Sequence, residues 1–251
     1  SHMECEPARA PARNALSCLL FFLMPRAPPR PTLLPHPTPL RSFNNEIYGL
    51  QKGQYSPTRR ERTPRPTSPL GSVDRPASPC AFALGSGARF IARAYDVSKD
   101  LGTVLKAAHA HKGASFVEIF QNCIVYNKDR FDDFTAKGVA DQNQLWLKDG
   151  EPMLFGSEKS GGVRGIALDI ETLSLKVVDV VDGDWQGAGV IVHNVRNRAI
   201  AHTLADMPFG AFPFALLLIY LHPRPPFDNA DPLQIVHPLP GMDPSPPPPL
   251  S

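Results

Sequence analysis

The sequence predicts an α/β domain with a parallel sheet, a carboxyl-terminal β-hairpin appendage and disordered proline-rich ends. Three observations predict it. A strand–helix–strand pattern with short connections runs from Arg89 to Gln121. Two alternating runs, Val163 to Asp169 and Ser174 to Val180, face each other around Glu171-Thr172. The 29 prolines are partitioned, with only Pro152 lying between Pro79 and Pro208. At 251 residues, with 42% apolar and 20% charged side chains, the chain has ordinary globular composition and room for one or two domains of roughly 150 residues. Its net charge of +2, from 26 basic and 24 acidic residues, leaves no global basic field for nucleic acid.

Taken in chain order, Ser1-His2-Met3 reads as the scar of a cleaved tag and is left out of fold reasoning. The apolar run Leu16 to Met24 is followed by Pro25-Arg26 rather than a small-residue cleavage site. It is also far short of the ~20 residues a bilayer span needs, so no export signal and no membrane segment are read here. Pro25 to Pro39 carries seven prolines in fifteen residues. Proline lacks an N–H and restricts its predecessor, so this stretch reads as structureless chain rather than helix or central strand, and the tail from Pro232 to Ser251 reads likewise. A polyproline ligand is the competing reading for both.

Asn44 and Asn45 stand at the apparent end of an apolar strand, where their carbonyl oxygens suit Mg²⁺. Gly49 and Gly53 would let backbone N–H groups approach a phosphate. By spacing alone this remains an ordinary turn.

Arg89 to Tyr95 is β-prone. Ser98 or Asp100 caps a helix whose apolar positions Leu101, Val104, Leu105 and Ala108 recur at helical spacing, and Gly113 ends it. Ser115 to Gln121 is the second strand, so the unit is βαβ with a right-handed crossover. Ligands in such sheets sit beyond strand carboxyl ends, which points to Gln121-Asn122-Cys123. Ala188 to Val195 is expected as a further strand and Asn197 to Met207 as a helix. Phe209 to Tyr220 is expected as a buried strand or a subunit contact. Cys5, Cys18, Cys80 and Cys123 form no CxxC, and the first three read as isolated thiols in a reducing cytoplasm. His109 and His111, two apart on a helix, do not share a face.

The string NNEIYGLQKGQYSPT (Asn44 to Thr58) resembles the thiamine-diphosphate loop of β subunits of 2-oxoacid:ferredoxin oxidoreductases, particularly those acting on 2-oxoglutarate. The resemblance continues through PLGSVDRP (Pro69 to Pro76), ALGSGARFIAR (Ala83 to Arg93), HKGASFVEIFQNCIVYN (His111 to Asn127) and FGSEKSGGVRGIAL (Phe155 to Leu168). It covers about residues 43 to 228. It divides the chain into 1–42, a tag scar and Pro/Arg-rich segment; 43–228, the carboxyl-terminal part of a thiamine-diphosphate-binding domain; and 229–251, a Pro-rich tail.

The resemblance implies that the Asn45 side chain and the Ile47 backbone carbonyl ligate Mg²⁺. It also implies that Asn44, Tyr48, Gly49, Leu50, Lys52, Gly53 and Gln54 lie beside thiamine diphosphate. Cys123 matches the last ligand of a [4Fe–4S] cluster, which takes four thiolates. The implied activity is oxidative decarboxylation of a 2-oxoacid to acyl-CoA with reduction of ferredoxin. Its implied partners are an α subunit, ferredoxin, coenzyme A and the 2-oxoacid, and its implied location is cytoplasmic.

The sequence also departs from the family. The family carries a Gly-Asp-Gly motif upstream of the asparagine pair, its Asp being the anionic Mg²⁺ ligand, whereas no acidic residue occurs from Cys18 to Leu40. The amino-terminal CxxC and an early glutamate-bearing region are also missing from the expected windows, Arg59 to Thr67 (RRERTPRPT) reads as a locally scrambled piece in place of the family's more polar, glycine-containing stretch, and Asp182-Gly-Asp184 lies downstream in a hairpin context. Weak binding of Mg²⁺–thiamine diphosphate by this chain alone is therefore expected. The alternative function is a catalytically incompetent fragment acting as an interaction or structural piece.

Overall fold

A computed structural model describes residues 39–64 and 68–223. The expectations for the proline-rich ends, the apolar run Leu16 to Met24, Cys5 and Cys18 lie outside the described residues.

The chain enters as β1 (Leu40–Asn44), followed by the two-residue strands β2 (Ile47–Tyr48) and β3 (Gln54–Tyr55), which pair antiparallel. Helix α1 (Pro79–Gly85) follows a long loop. Its start is set by Ser78, whose Oγ accepts the Ala81 N–H at 3.2 Å, and by Pro79, whose fixed φ suits the first turn. The βαβ unit is β4 (Phe90–Tyr95), α2 (Leu101–Ala110) and β5 (Ser115–Phe120), and β4 and β5 pair in parallel as expected. Asp100 occupies the cap position of α2 without a side-chain bond, and Ser98 Oγ accepts the Asp100 N–H at 3.2 Å.

Two short helices, α3 (Asp132–Thr135) and α4 (Ala140–Asn143), lead into β6 (Gln144–Leu147). A three-stranded antiparallel sheet follows, β7 (Leu154–Ser157), β8 (Gly162–Asp169) and β9 (Ser174–Val180), which contains the expected hairpin. Helix α5 (Arg198–Ala205) is capped by Asn197, whose Oδ1 accepts the Ile200 N–H, and β10 (Phe214–Leu221) closes the fold.

The main sheet has the order β1-β5-β4-β10-β6. β1, β5 and β4 are parallel; β10 runs antiparallel to β4 and parallel to β6. The two faces of the sheet have separate cores. Phe90, Ala92, Val117 and Ile119 pack under Val104 and Ala108 of α2. Ile91 and Phe116 turn the other way, toward Cys80, Leu84, Leu204 and Ala201 of α1 and α5. Burial on both faces explains why these strands read as continuous apolar runs.

The expected strand from Ala188 to Val195 is not formed. Gly189 is left-handed (φ +73°), and the segment makes only isolated bridges, Val190 to Ala167 and Val192 to Pro152. Its N–H groups are shared out, Ile191 donating to the Ile166 carbonyl and His193 to that of Glu151, so no ladder grows. Of the expected segment Phe209 to Tyr220, the part from Phe214 onward forms β10, an interior strand of the sheet, whereas Phe209 and Phe212 form only an isolated bridge before it.

Candidate functional site

The carboxyl ends of β1, β4 and β5 lie side by side, and the site is built on them. The Asn44 carbonyl at the end of β1 accepts the Gln121 N–H at 3.0 Å, so the asparagine turn and the loop after β5 leave the sheet together. Sequence reasoning expects ligands at this position in a parallel sheet.

The Asn44 side chain is buried. Its Nδ2 donates to Glu118 Oε1 at 2.8 Å, while its Oδ1 accepts the Thr58 hydroxyl at 2.7 Å and the Glu46 N–H at 3.1 Å. Asn44 therefore shapes the turn from within. Asn45 is partly exposed, its Oδ1 accepting the Ile47 N–H at 3.2 Å and its backbone carbonyl accepting Asn127 Nδ2 at 2.6 Å. The β2–β3 hairpin turns through Lys52 (φ +56°) and Gly53 (φ +101°). Tyr48, Leu50, Lys52 and Gln54 are exposed, and Ile47 is buried. The close approach that Gly49 and Gly53 permit is used by the Tyr126 ring, whose carbons lie 3.4 Å and 3.7 Å from where Cβ atoms on the two glycines would stand.

Beneath the turn lies a buried polar network that the sequence reading did not single out. Glu118 Oε2 accepts Arg93 Nε at 2.8 Å and the Cys80 thiol at 3.3 Å, and Arg93 Nη2 reaches the Ala205 carbonyl at 3.2 Å. Burial pushes the Cys80 thiol well above its ordinary range, so it remains a donor. The only signal was one charged residue in each of two apolar strands, IARAY and SFVEIF.

The second missed group is Glu46. Its side chain is fully buried and is clasped by Arg130 on Oε2 and by Arg60, whose Nε lies 3.4 Å from Oε1. The stretch after Thr58 is thus integral to the fold as far as it is described. Arg59 is buried and donates to the Glu46 carbonyl, while Arg60 also pairs with Asp133 and lies over the Phe209 ring. Behind the turn is a cavity of about 450 Å³ lined by Thr58, Arg60, Arg75, Ser78, Arg93 and Arg130, among others. Its arginines are paired with Glu46, Asp133, Glu118 and Asp206.

These residues do not by themselves make a magnesium site. The asparagines offer neutral oxygens already engaged in turn bonds, and the one carboxylate in the turn, Glu46, points inward to two arginines. Among the described residues no three His, Cys, Asp or Glu side chains gather as metal ligands. Cys123 is partly exposed beside the turn, but the other described cysteine, Cys80, is buried in the Glu118 network, so the described residues assemble no cluster site either. Asp182 and Asp184 lie in an exposed turn, where Asp184 Oδ1 accepts the Gly187 N–H.

Residues 39–119 match the family model for the thiamine pyrophosphate enzyme, C-terminal TPP binding domain. The subunit KorB of 2-oxoglutarate oxidoreductase from Mycobacterium tuberculosis is 36% identical over 198 residues, covering 77% of this chain and 51% of that protein. The chain is similar to the β subunits of 2-oxoacid:ferredoxin oxidoreductases. The β subunit of 2-oxoacid:ferredoxin oxidoreductase 1 from Aeropyrum pernix is 40% identical over 100 residues, covering 39% of this chain and 30% of its own length. A solved 2-oxoglutarate:ferredoxin oxidoreductase from Magnetococcus marinus, with 2-oxoglutarate, coenzyme A and succinyl-CoA bound, shares the fold. Its TM-score is 0.52 at 24% identity, covering 82% of this chain and 55% of that one. The chain thus spans about half the length of the M. tuberculosis subunit KorB it matches. No helix among the described residues is long and apolar enough to cross a membrane.

Proposed function

We propose that this chain serves as the β-subunit portion of a cytoplasmic 2-oxoacid:ferredoxin oxidoreductase, of the kind acting on 2-oxoglutarate. Such an enzyme converts a 2-oxoacid, coenzyme A and oxidised ferredoxin into an acyl-CoA, CO₂ and reduced ferredoxin. The observation that carries the proposal is the Asn44-Asn45 turn at the carboxyl end of a parallel β1-β5-β4 array, within the segment that matches thiamine pyrophosphate enzymes. An α subunit is the expected partner. Leu50, Ile124 and Val125 are 94%, 82% and 72% exposed around this turn, and a cluster of large apolar side chains in water favours a protein contact.

In this reading thiamine diphosphate, Mg²⁺ and a [4Fe–4S] cluster belong to the assembled enzyme, with Asn45, Ile47 and Cys123 as this chain's contributions. A specific observation favours a second reading, a catalytically incompetent piece with an interaction role: the two carboxylates at the asparagine turn, Glu46 and Glu118, are both taken up by arginines.

The test is calorimetric titration of thiamine diphosphate into the chain at millimolar Mg²⁺, followed by 2-oxoglutarate-dependent dye reduction after adding an α subunit. No micromolar binding by the chain alone, with dye reduction in the assembled pair, is the expected result. Dye reduction that never exceeds the α subunit alone would defeat the enzyme reading and leave the second.

A further inference from the structure

We infer that Glu46 is a positioning residue: through Arg130 it fastens the asparagine turn to the loop after β5, so that residues 44–53 and 121–130 open as one unit. The inference deepens the proposed function by naming what holds the candidate cofactor turn in shape.

Glu46 has φ +56°, a left-handed conformation that is unfavourable for a non-glycine residue, so something must hold it there. Its carboxylate, with none of its side chain exposed, is the group placed to do so. Arg130, on the second loop, bonds Oε2, while Oε1 has only the 3.4 Å approach of Arg60 Nε and no hydrogen bond. Arg130 Nη2 is buried without a hydrogen-bond partner, so this clasp has a single point of attachment rather than a bidentate one.

Three further contacts join the same two segments. Gln121 N–H bonds the Asn44 carbonyl, Asn127 Nδ2 bonds the Asn45 carbonyl, and the Tyr126 ring lies under Gly49 and Gly53. The loop tips, Leu50, Ile124 and Val125, are largely solvent-exposed and bury little apolar surface of their own. Segments of this kind open locally at low cost, and polar contacts between them decide whether they open separately or together.

Hydrogen exchange by mass spectrometry on the full chain tests this, comparing the unmodified protein with Glu46→Gln, Arg130→Gln and Arg130→Lys. Glu46→Gln and Arg130→Gln are each expected to accelerate amides in both 44–53 and 121–130 by a common factor of about tenfold or more. Amides of β4 and β5 keep their rates. Arg130→Lys, which keeps the charge, restores much of the protection in both loops. Acceleration confined to one loop, or spread evenly through β4 and β5, would overturn the inference. If Glu46→Gln does not fold, the two Arg130 variants, altered at a partly exposed residue, decide alone.

The readout needs no cofactor. A chain that never binds thiamine diphosphate defeats the functional reading and leaves the exchange pattern intact, whereas independent loops defeat the coupling whatever calorimetry shows.

Discussion

Arg93→Met isolates the energetics of the network under the turn. Arg93 and Glu118 are 7% and 1% exposed as side chains and meet at 2.8 Å. A pair of unit charges about 4 Å apart interacts by about 4 kcal/mol at an effective dielectric of about 20. Methionine fills much of the arginine volume but strands the carboxylate, leaving it the Asn44 amide and the Cys80 thiol as donors. It also deprives the Ala205 carbonyl of Arg93 Nη2. Removing one partner of a buried pair costs about 3–5 kcal/mol, because the survivor is left charged and uncompensated. Removing both charges, as in Arg93→Met with Glu118→Leu, keeps the Ala205 orphan common to both variants but replaces the stranded charge by neutral orphans, the Asn44 amide at about 1–3 kcal/mol and the weaker Cys80 thiol donor. Chemical denaturation followed by circular dichroism at pH 7 therefore ranks the double variant as more stable than Arg93→Met alone. A loss below about 1 kcal/mol in Arg93→Met, or a double variant less stable than the single one, refutes the assignment of this pair as the network's electrostatic centre.

Gly165→Ala places a Cβ 2.4 Å from Val190 Cγ2 and 3.2 Å from Leu154 Cδ2. It should cost about 1–3 kcal/mol by overpacking, and adding Val190→Ala should recover part of the loss; thermal denaturation of the pair checks this. His193 is buried with Nε2 against the Leu218 carbonyl, and burial holds its imidazole below the ordinary value of 6.5 despite that bond and the nearby Asp149. The unfolded chain then binds a proton that the folded chain refuses. The stability is therefore complete above about pH 6.5 and lost progressively as the pH falls from there through the lowered folded value. His193→Gln keeps a donor for Leu218 without a titrating group and should flatten this part of the pH profile; an unchanged slope assigns the dependence elsewhere.

Local pattern was sufficient for the βαβ unit. Phe90 to Tyr95 and Ser115 to Phe120 are apolar on both sides, and Val104 and Ala108 fall on one helical face, so neighbours in sequence already specify these elements. The β8–β9 hairpin and the Asn197 cap are local in the same sense. Ala188 to Val195 misled because its composition is that of a strand. Its state was set by partners far away in sequence, which offered single rungs rather than a free edge.

Residue order singled out the asparagine turn and its place after a strand, and the quoted motifs carried the resemblance to thiamine-diphosphate-binding β subunits. Those properties reside in contiguous motifs, and a contiguous motif keeps its meaning before the chain folds. The interior position of β10, the pairing of Arg93 with Glu118, and the capture of Glu46 by Arg130 across 84 positions emerged only with the folded chain. Charged side chains in a string of letters carry no sign of whether they meet water or each other. Distance through space sets that, and only packing fixes it.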